Sequence, residues 1–499
     1  MTTHAWGRKG AYRKSSGLDG FLESLRTIVG PSWVLSGDEE VAPFECDALF
    51  HLRQRPRAVV LPGNESEVLA VLRFCAEARI AIVPRGAGTS LSGGAMPVAE
   101  GIVMSLNRMK RLVIDAAARQ AVAGPGVRNV VVSQQAAPHG LFFAPDPSSQ
   151  AASTIGGNIA ENAGGVHCVK YGLTVNNVVG ARVVTGAGEL LELGGGSLDQ
   201  AGLDLLSLMN GSEGLLGLVT EARLRLLPAP KAVRVLLAFF SSVQATCEAV
   251  TRIIAAGIMP AGLEVMDQAS LQTADGYSPA LALRIDAGGA LLCELDGELI
   301  DIADATCRVS SIFETLGALE VRHADDEAQR YQLWAARKNV LPALLRTARD
   351  VYVADCVVPR HALSQVLDKV MHLGRERRID VVQAFHAGDG NLHSVLRYDS
   401  DIPGEEDRAM ALADAIMQTA LAAGGTVSGE HGIGTEKLHG MCWQFSADEL
   451  DVFHGIRAVF DPHGILNPGK SIPTLHRCAE FGGMHIRRGE LPHADLPRF

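Results

Sequence analysis

The chain has 499 residues, 47% of them hydrophobic and 20% charged, which describes a well-cored globular protein of two or three domains rather than a disordered one. With 45 basic against 56 acidic residues the net charge is −11, which argues against broad nucleic-acid binding, since that needs a basic face. Nine scattered cysteines form no C-x-x-C pair, which argues against a zinc ribbon or iron–sulfur cluster held by this chain alone, and their odd number fits a reducing cytoplasm. No apolar run reaches the roughly 18 residues needed to span a bilayer.

Residues 1–17 carry Arg8, Lys9, Arg13 and Lys14 without an apolar segment, so they read as a mobile arm rather than a secretory signal. They open an N-terminal helical arm, 1–56, with a helix over 19–29 before Pro31. Ala58 to Leu61 reads as a buried strand. Asn64 then caps a helix with Glu67 as its capping-box partner, and Val68, Val71, Leu72 and Cys75 follow at helical spacing. Ile80 to Val83 is a second strand.

Three glycine-rich stretches come next: 84–94, 154–165 and 210–214. Glycine clusters let backbone N–H groups approach a phosphate, and Arg85 adds a fixed positive charge suited to a pyrophosphate. Tight hairpin turns are the bland alternative, with about even odds for any one such loop. Polar Thr89, Ser90, Ser153, Thr154 and Asn158 among the glycines lower those odds. A dinucleotide fingerprint of the G-x-G-x-x-G type fails, because Leu91 stands at the third glycine position and the next element, 102–104, looks like a strand. A strand–loop–strand phosphate cradle fits better. The Pro-Ala-Pro at 228–230 marks a domain boundary.

Residues 231–445 read as alternating strands (233–239, 291–295, 351–357, 380–385) and helices (242–255, 300–315, 406–423), followed by a helix over 446–460 and a turn-rich segment, 461–470. Within them, His386 and His393 flank the hairpin-forming Gly388-Asp389-Gly390-Asn391 and can converge on one point. Two imidazoles and a carboxylate, for which Glu430 is the candidate, suit Zn, Mn or Fe(II) with positions left open. His431 beside it is a candidate base. A solvated hairpin and a helix-ending loop are the plain alternatives for 386–393 and 428–434. Their joint occurrence in one domain favours the site.

Residues 57–228 resemble the FAD-binding domain of the vanillyl-alcohol-oxidase family, through Pro84-Arg85-Gly86-Ala87-Gly88-Thr89-Ser90, Asp146-Pro147 and Thr154-Ile155-Gly156-Gly157-Asn158. The resemblance implies that 84–90 and 153–164 wrap the pyrophosphate of a non-covalent FAD. The expected cofactor residues are Arg85, Gly86, Ala87, Gly88, Thr89, Ser90, Asp146, Ser153, Thr154, Gly157, Asn158, Ala163, Gly164, Glu213, Val219 and Asn467. Residues 231–472 resemble the C-terminal domain of FAD-linked 2-hydroxy-acid dehydrogenases, through H-x-G-D-G-N-x-H at 386–393, G-E-H-G-I-G at 429–434 and Trp334-Ala335-Ala336-Arg337.

That resemblance implies an α+β protein with a vanillyl-alcohol-oxidase-type FAD-binding domain (57–228), an α/β substrate cap (229–445), a segment returning to the FAD domain (446–475) and a tail (476–499). It implies that Arg337 holds a substrate carboxylate. The tail from Pro473 to Glu480 resembles the flavin subunits of bacterial glycolate oxidases, which implies glycolate, with D-lactate or another 2-hydroxy acid as the alternative. Val353 and Ala354 stand where relatives acting on larger diacids carry a lysine, which favours a small monocarboxylate. Electrons then pass to a partner, expected to include a second flavin-type subunit and an iron–sulfur subunit. The expected setting is cytoplasmic, with association to the inner membrane face through those partners. A non-catalytic FAD-binding subunit is a further alternative.

Overall fold

The computed structural model describes residues 16–49, 52–195, 202–324 and 326–474. The basic cluster within residues 1–15 and the tail from residue 475 onward lie outside the described residues.

The first domain holds two main sheets. A four-stranded sheet runs Val34–Leu35, Ala58–Val60, Ile102–Ser105, Ile82–Arg85, and its last three strands are mutually parallel. The helix Glu65–Ala78 begins as the sequence implies. Asn64 Oδ1 accepts from the Glu67 N–H at 3.0 Å and Asn64 Nδ2 donates to the Glu67 carboxylate at 2.7 Å. Val68, Val71, Leu72 and Cys75 are all fully buried beneath it, where each Val or Leu contributes roughly 1.5–3 kcal/mol. The strand expected at Ile80 starts at Ile82 instead. Arg79 adopts a left-handed φ of 55°, and the Ile80 N–H bonds back to the Cys75 carbonyl at 2.9 Å, closing the helix end.

The described part of the region expected as an N-terminal arm, from residue 16 onward, packs into this domain. The helix Ser16–Val29 buries Leu25 and stacks Phe21 on Phe74, and Val34–Leu35 pairs with Ala58–Val60. The second sheet is five-stranded and antiparallel, in the order Leu112–Asp115, Gln120–Ala123, Leu218–Arg225, Val178–Val184, Leu190–Gly194.

The second glycine stretch, expected as a loop, is largely the short helix Ile155–Glu161. Thr154 caps it and Asn162 ends it at φ 49°. Gly156 serves close packing here, since a Cβ would lie 2.7 Å from Cβ of Pro125.

The second domain is built on one seven-stranded sheet: Glu320–Ala324, Ala232–Phe240, Gly289–Gly297, Gly262–Asp267, Asp380–His386, Asn391–Tyr398, Asp350–Val357. Every pairing in it is antiparallel, so its alternating helices and strands do not form parallel crossover units. Helices Val243–Ala255, Leu299–Thr315, Leu363–Arg377 and Glu405–Ala422 cover one face. Gln268–Tyr277, Glu327–Lys338 and Val340–Thr347 cover part of the other. The strand Gly262–Asp267 escapes a sequence reading because all six residues are buried and nothing alternates.

The chain then returns to the first domain. Phe460, at the end of the helix Ala447–Phe460, packs with Ala181, Val183 and Leu216. The Ile82 N–H bonds to the Ile465 carbonyl and the Asn467 N–H to the Ile82 carbonyl, each at 2.8 Å, adding a short bridge to the parallel sheet.

Candidate active site

A cleft of about 1290 Å³, counting its open mouth, runs between the first glycine loop and the Thr154-capped helix. Gly86, Ala87, Gly88, Thr89, Ser90, Ser153, Thr154, Gly157, Asn158, Ala163, Gly164 and Val219 line it as expected. Ser153 Oγ and Asn158 Nδ2 are buried with no hydrogen-bond partner. Orphan polar groups facing a glycine-lined cleft fit a ligand that supplies polar oxygens, as a pyrophosphate does.

The side chains of four expected cofactor residues are engaged by the protein itself. Arg85 lines the cleft, but its guanidinium donates to the carbonyls of Cys46 (2.8 Å) and Ala95 (3.3 Å), bracing the loop. Asp146 does not line it. Its carboxylate accepts from His167 at 2.7 Å. Glu213 lines it while accepting the N–H groups of Ile433 (2.7 Å) and Gly434 (2.8 Å). Asn467 lies behind the wall, tying the carbonyls of Gly94 and Glu213 together at 3.0 and 2.7 Å.

Glu430 and His431 reach the same cleft from the second domain. Sheet register explains how their partners assemble. Glu264 lies opposite His386, His386 opposite Asn391, and Asp355 opposite His393. Cross-strand partners share a face, so these side chains form one row where the covering helices stop. His386 Nε2 and His393 Nε2 each stand 3.4 Å from Glu430 Oε1. Two ligands about 2.1 Å from a tetrahedral ion would be about 3.4 Å apart. His393 Nε2 is buried and makes no hydrogen bond. The donor set therefore fits a divalent cation.

Two carboxylates that the sequence did not single out hold this set. Glu264, fully buried, accepts from His386 Nδ1 at 2.7 Å and from Arg337 Nε at 2.8 Å, fixing His386 so that Nε2 faces the cluster. Asp355 accepts the N–H groups of Gly429, Glu430 and His431, the Ser428 hydroxyl and the Lys437 ammonium. Gly429 is required there, because a Cβ would lie 2.0 Å from Asn391 Oδ1. Asp355, His393 and His431 also lie close enough to hold a metal, but Asp355 is already saturated by donors.

Burial drives the Glu430 carboxyl up, but His386, His393 and His431 outweigh it and hold it down at about 2. Burial pushes the His386 imidazole down, yet Glu264 and Glu430 raise it well above its usual value. His431 is lowered to about 4, first by burial and then by His393 and Lys437 against the pull of Asp355, so it is neutral at pH 7 and able to take a proton. Arg337 also donates from Nη2 to the Ala384 carbonyl at 3.0 Å, so its fork is oriented rather than loose on a helix surface.

Residues 56–194 match the model of the FAD binding domain family, and 229–471 that of the FAD linked oxidases, C-terminal domain. The glycolate oxidase subunit GlcD of Escherichia coli K12 is 50% identical over 479 residues, 96% of both chains. The D-lactate dehydrogenase of Anaerostipes hadrus is 33% identical, covering 90% of this chain and 96% of its own. The structure of 4-ethylphenol oxidase from Gulosibacter chungangensis superposes with a TM-score of 0.76 at 16% identity, over 92% of this chain and 97% of that one, and so shares the fold. With both domain models matched and half the residues shared with a full-length relative, the chain belongs to the FAD-linked oxidase family that includes these glycolate oxidase subunits and D-lactate dehydrogenases.

Proposed function

We propose that this FAD-dependent 2-hydroxy-acid oxidoreductase converts glycolate to glyoxylate at the junction of the glycine-lined cleft and the His386–His393–Glu430 cluster. The observation that carries the reading is that Glu430 and His431 line the same cleft as the glycine loops. Bound FAD would supply the hydride acceptor. A divalent cation on His386, His393 and Glu430 would supply Lewis-acid polarisation of the 2-hydroxyl.

The chain's own residues do the rest. Arg337, oriented by Glu264 and Ala384, pairs with the substrate carboxylate. His431 Nδ1 or Nε2, neutral at working pH, takes the hydroxyl proton as general base. Asp355 holds the 428–431 loop so that Glu430 and His431 keep their places. FAD is held without a covalent bond. Both His167 nitrogens are committed to Asp146 and Glu294, and Cys168 Sγ accepts from the Gly165 N–H at 3.1 Å.

Electrons leave to a partner subunit, a reading supported by the word subunit in the name of the 50% identical relative. None of the described helices is long and apolar enough to cross a membrane. The 33% identical D-lactate dehydrogenase keeps D-lactate as a second substrate reading. Anaerobic mixing with glycolate and with D-lactate, followed by flavin bleaching, decides between them. Faster bleaching by glycolate supports the first reading and faster bleaching by D-lactate replaces it.

A further inference from the structure

His167 belongs to the FAD-binding domain, does not line the cleft, and is in neither metal-sized cluster. The hydride chemistry does not use it. Its surroundings are nevertheless built. Nδ1 lies 2.7 Å from Asp146 Oδ2 and Nε2 lies 2.9 Å from Glu294 Oε1. Ionised carboxylates only accept, so an imidazole bonded to one at each nitrogen donates from both and is an imidazolium. Glu294 belongs to the second domain, and its other oxygen accepts Trp334 Nε1–H at 2.6 Å. One carboxylate thus joins a cation on the first domain to the helix that carries Arg337.

The contact is broader than one side chain. Lys170 and Tyr171 both bond to Asp296, two residues further along the same strand. Val169 packs where a Cβ on Gly388, in the His386 hairpin, would sit 2.9 Å from it. Immediately before this segment, Ala163 and Gly164 line the cleft. Trp334 and Arg337 stand three residues apart, on one face of the helix Glu327–Lys338.

Resting on the reading of Arg337 as the carboxylate anchor, we propose that His167 is a positioning residue: a charged clasp that, through Glu294 and Trp334, sets Arg337 over the substrate site. Without it, Asp146 and Glu294 face each other uncompensated and the Trp334 end of the helix loosens. Arg337 then loses the support of its own helix, while His393, Glu430 and His431, held from Asp355 and its strand, keep theirs.

The test uses the full chain with FAD bound and four variants: His167→Gln, His167→Lys, Trp334→Phe and the His167→Gln/Trp334→Phe double. A charge-assisted hydrogen bond is worth about 1.5–3 kcal/mol, so His167→Gln is expected to raise KM for the 2-hydroxy acid about 10- to 100-fold. The limiting rate of flavin reduction should stay within about threefold, as expected when only binding is lost. His167→Lys, which keeps the charge, should recover most of the KM. The His167→Gln/Trp334→Phe double variant should be no worse than the worse single, since both act through Glu294. An unchanged KM, a Lys variant no better than Gln, or additive effects in the double variant overturns the clasp. Hydrogen exchange across 327–338 reads it without any substrate: His167→Gln should speed exchange there and leave 243–255 unchanged, and equal exchange in both segments overturns it. A wild-type flavin that no 2-hydroxy acid reduces would defeat the proposed function alone, and the exchange result would still decide the clasp.

Discussion

Glu264→Gln isolates the role of the carboxylate behind the site. The side chain is fully buried and joins His386 Nδ1 at 2.7 Å to Arg337 Nε at 2.8 Å. Glutamine keeps the shape but removes the charge, and with one acceptor oxygen and one NH2 donor it can accept from only one of the two groups. The bond that stays falls from about 1.5–3 kcal/mol to about 0.5–1.5 kcal/mol, and the other is lost outright. That is about tenfold for the partner that keeps its bond and about 10- to 100-fold for the one that loses it, read as cation affinity for His386 and substrate KM for Arg337. Losses of about 10- to 100-fold are typical when the carboxylate behind a metal-binding histidine is changed. The assay pairs divalent-cation affinity, by competition with a chelator, with anaerobic flavin reduction by glycolate. FAD content serves as the control, because Glu264 does not line the cleft. Wild-type cation affinity together with wild-type KM in this variant would refute the reasoning that Glu264 organises both groups.

Three further outcomes follow from the same geometry. His431→Gln should lower the limiting rate of flavin reduction by about 10²–10⁴ with FAD still bound, measured by stopped flow; a loss under about threefold removes it as the base. Asp355→Asn strands the buried Lys437 ammonium and releases the 428–431 loop, so stability should fall by about 3–5 kcal/mol in denaturant titration. For His167, burial lowers the imidazole but Asp146 and Glu294 outweigh it and hold its pKa up at about 10. A raised folded value means the stabilisation is complete below the unfolded pKa of about 6.5 and is lost as pH rises through about 10. Thermal scans across that window should show the wild-type Tm falling more steeply than that of His167→Gln, and parallel curves would contradict this.

What the sequence revealed is what chemistry concentrates locally. The glycine loops and the His386–His393 hairpin are short segments whose turn residues announce them, and the Asn64 cap reaches only from 64 to 67. The carboxylates that organise the site were not legible in the same way. Glu264 meets His386 across 122 residues and His167 meets Glu294 across 127. Sheet register brings the first pair together, and the packing of the Cys168–Tyr171 helix segment against the second domain brings the other. A faint signal did exist: Glu264 and Glu294 each follow directly on apolar residues inside a largely apolar strand, and burying such a charge costs several kcal/mol unless it is paired. Arg85 and Glu213 line the cleft as expected, but nothing in the sequence hinted that their side chains also brace the backbone of neighbouring loops, across 39 and 220 residues. The second glycine stretch became a helix because Thr154 can cap it and Pro125 demands a glycine at 156.

The central claim is that a 2-hydroxy acid reduces the flavin at the His386–His393–Glu430 cluster. The most direct measurement is an anaerobic glycolate titration of flavin absorbance, with metal analysis of the same samples, in the wild type and in the His386→Ala and His393→Ala variants. The account predicts full bleaching and about one bound divalent ion per chain in the wild type, and FAD bound but unbleached, without the ion, in both variants. Full bleaching in either variant, at the wild-type rate, would contradict it.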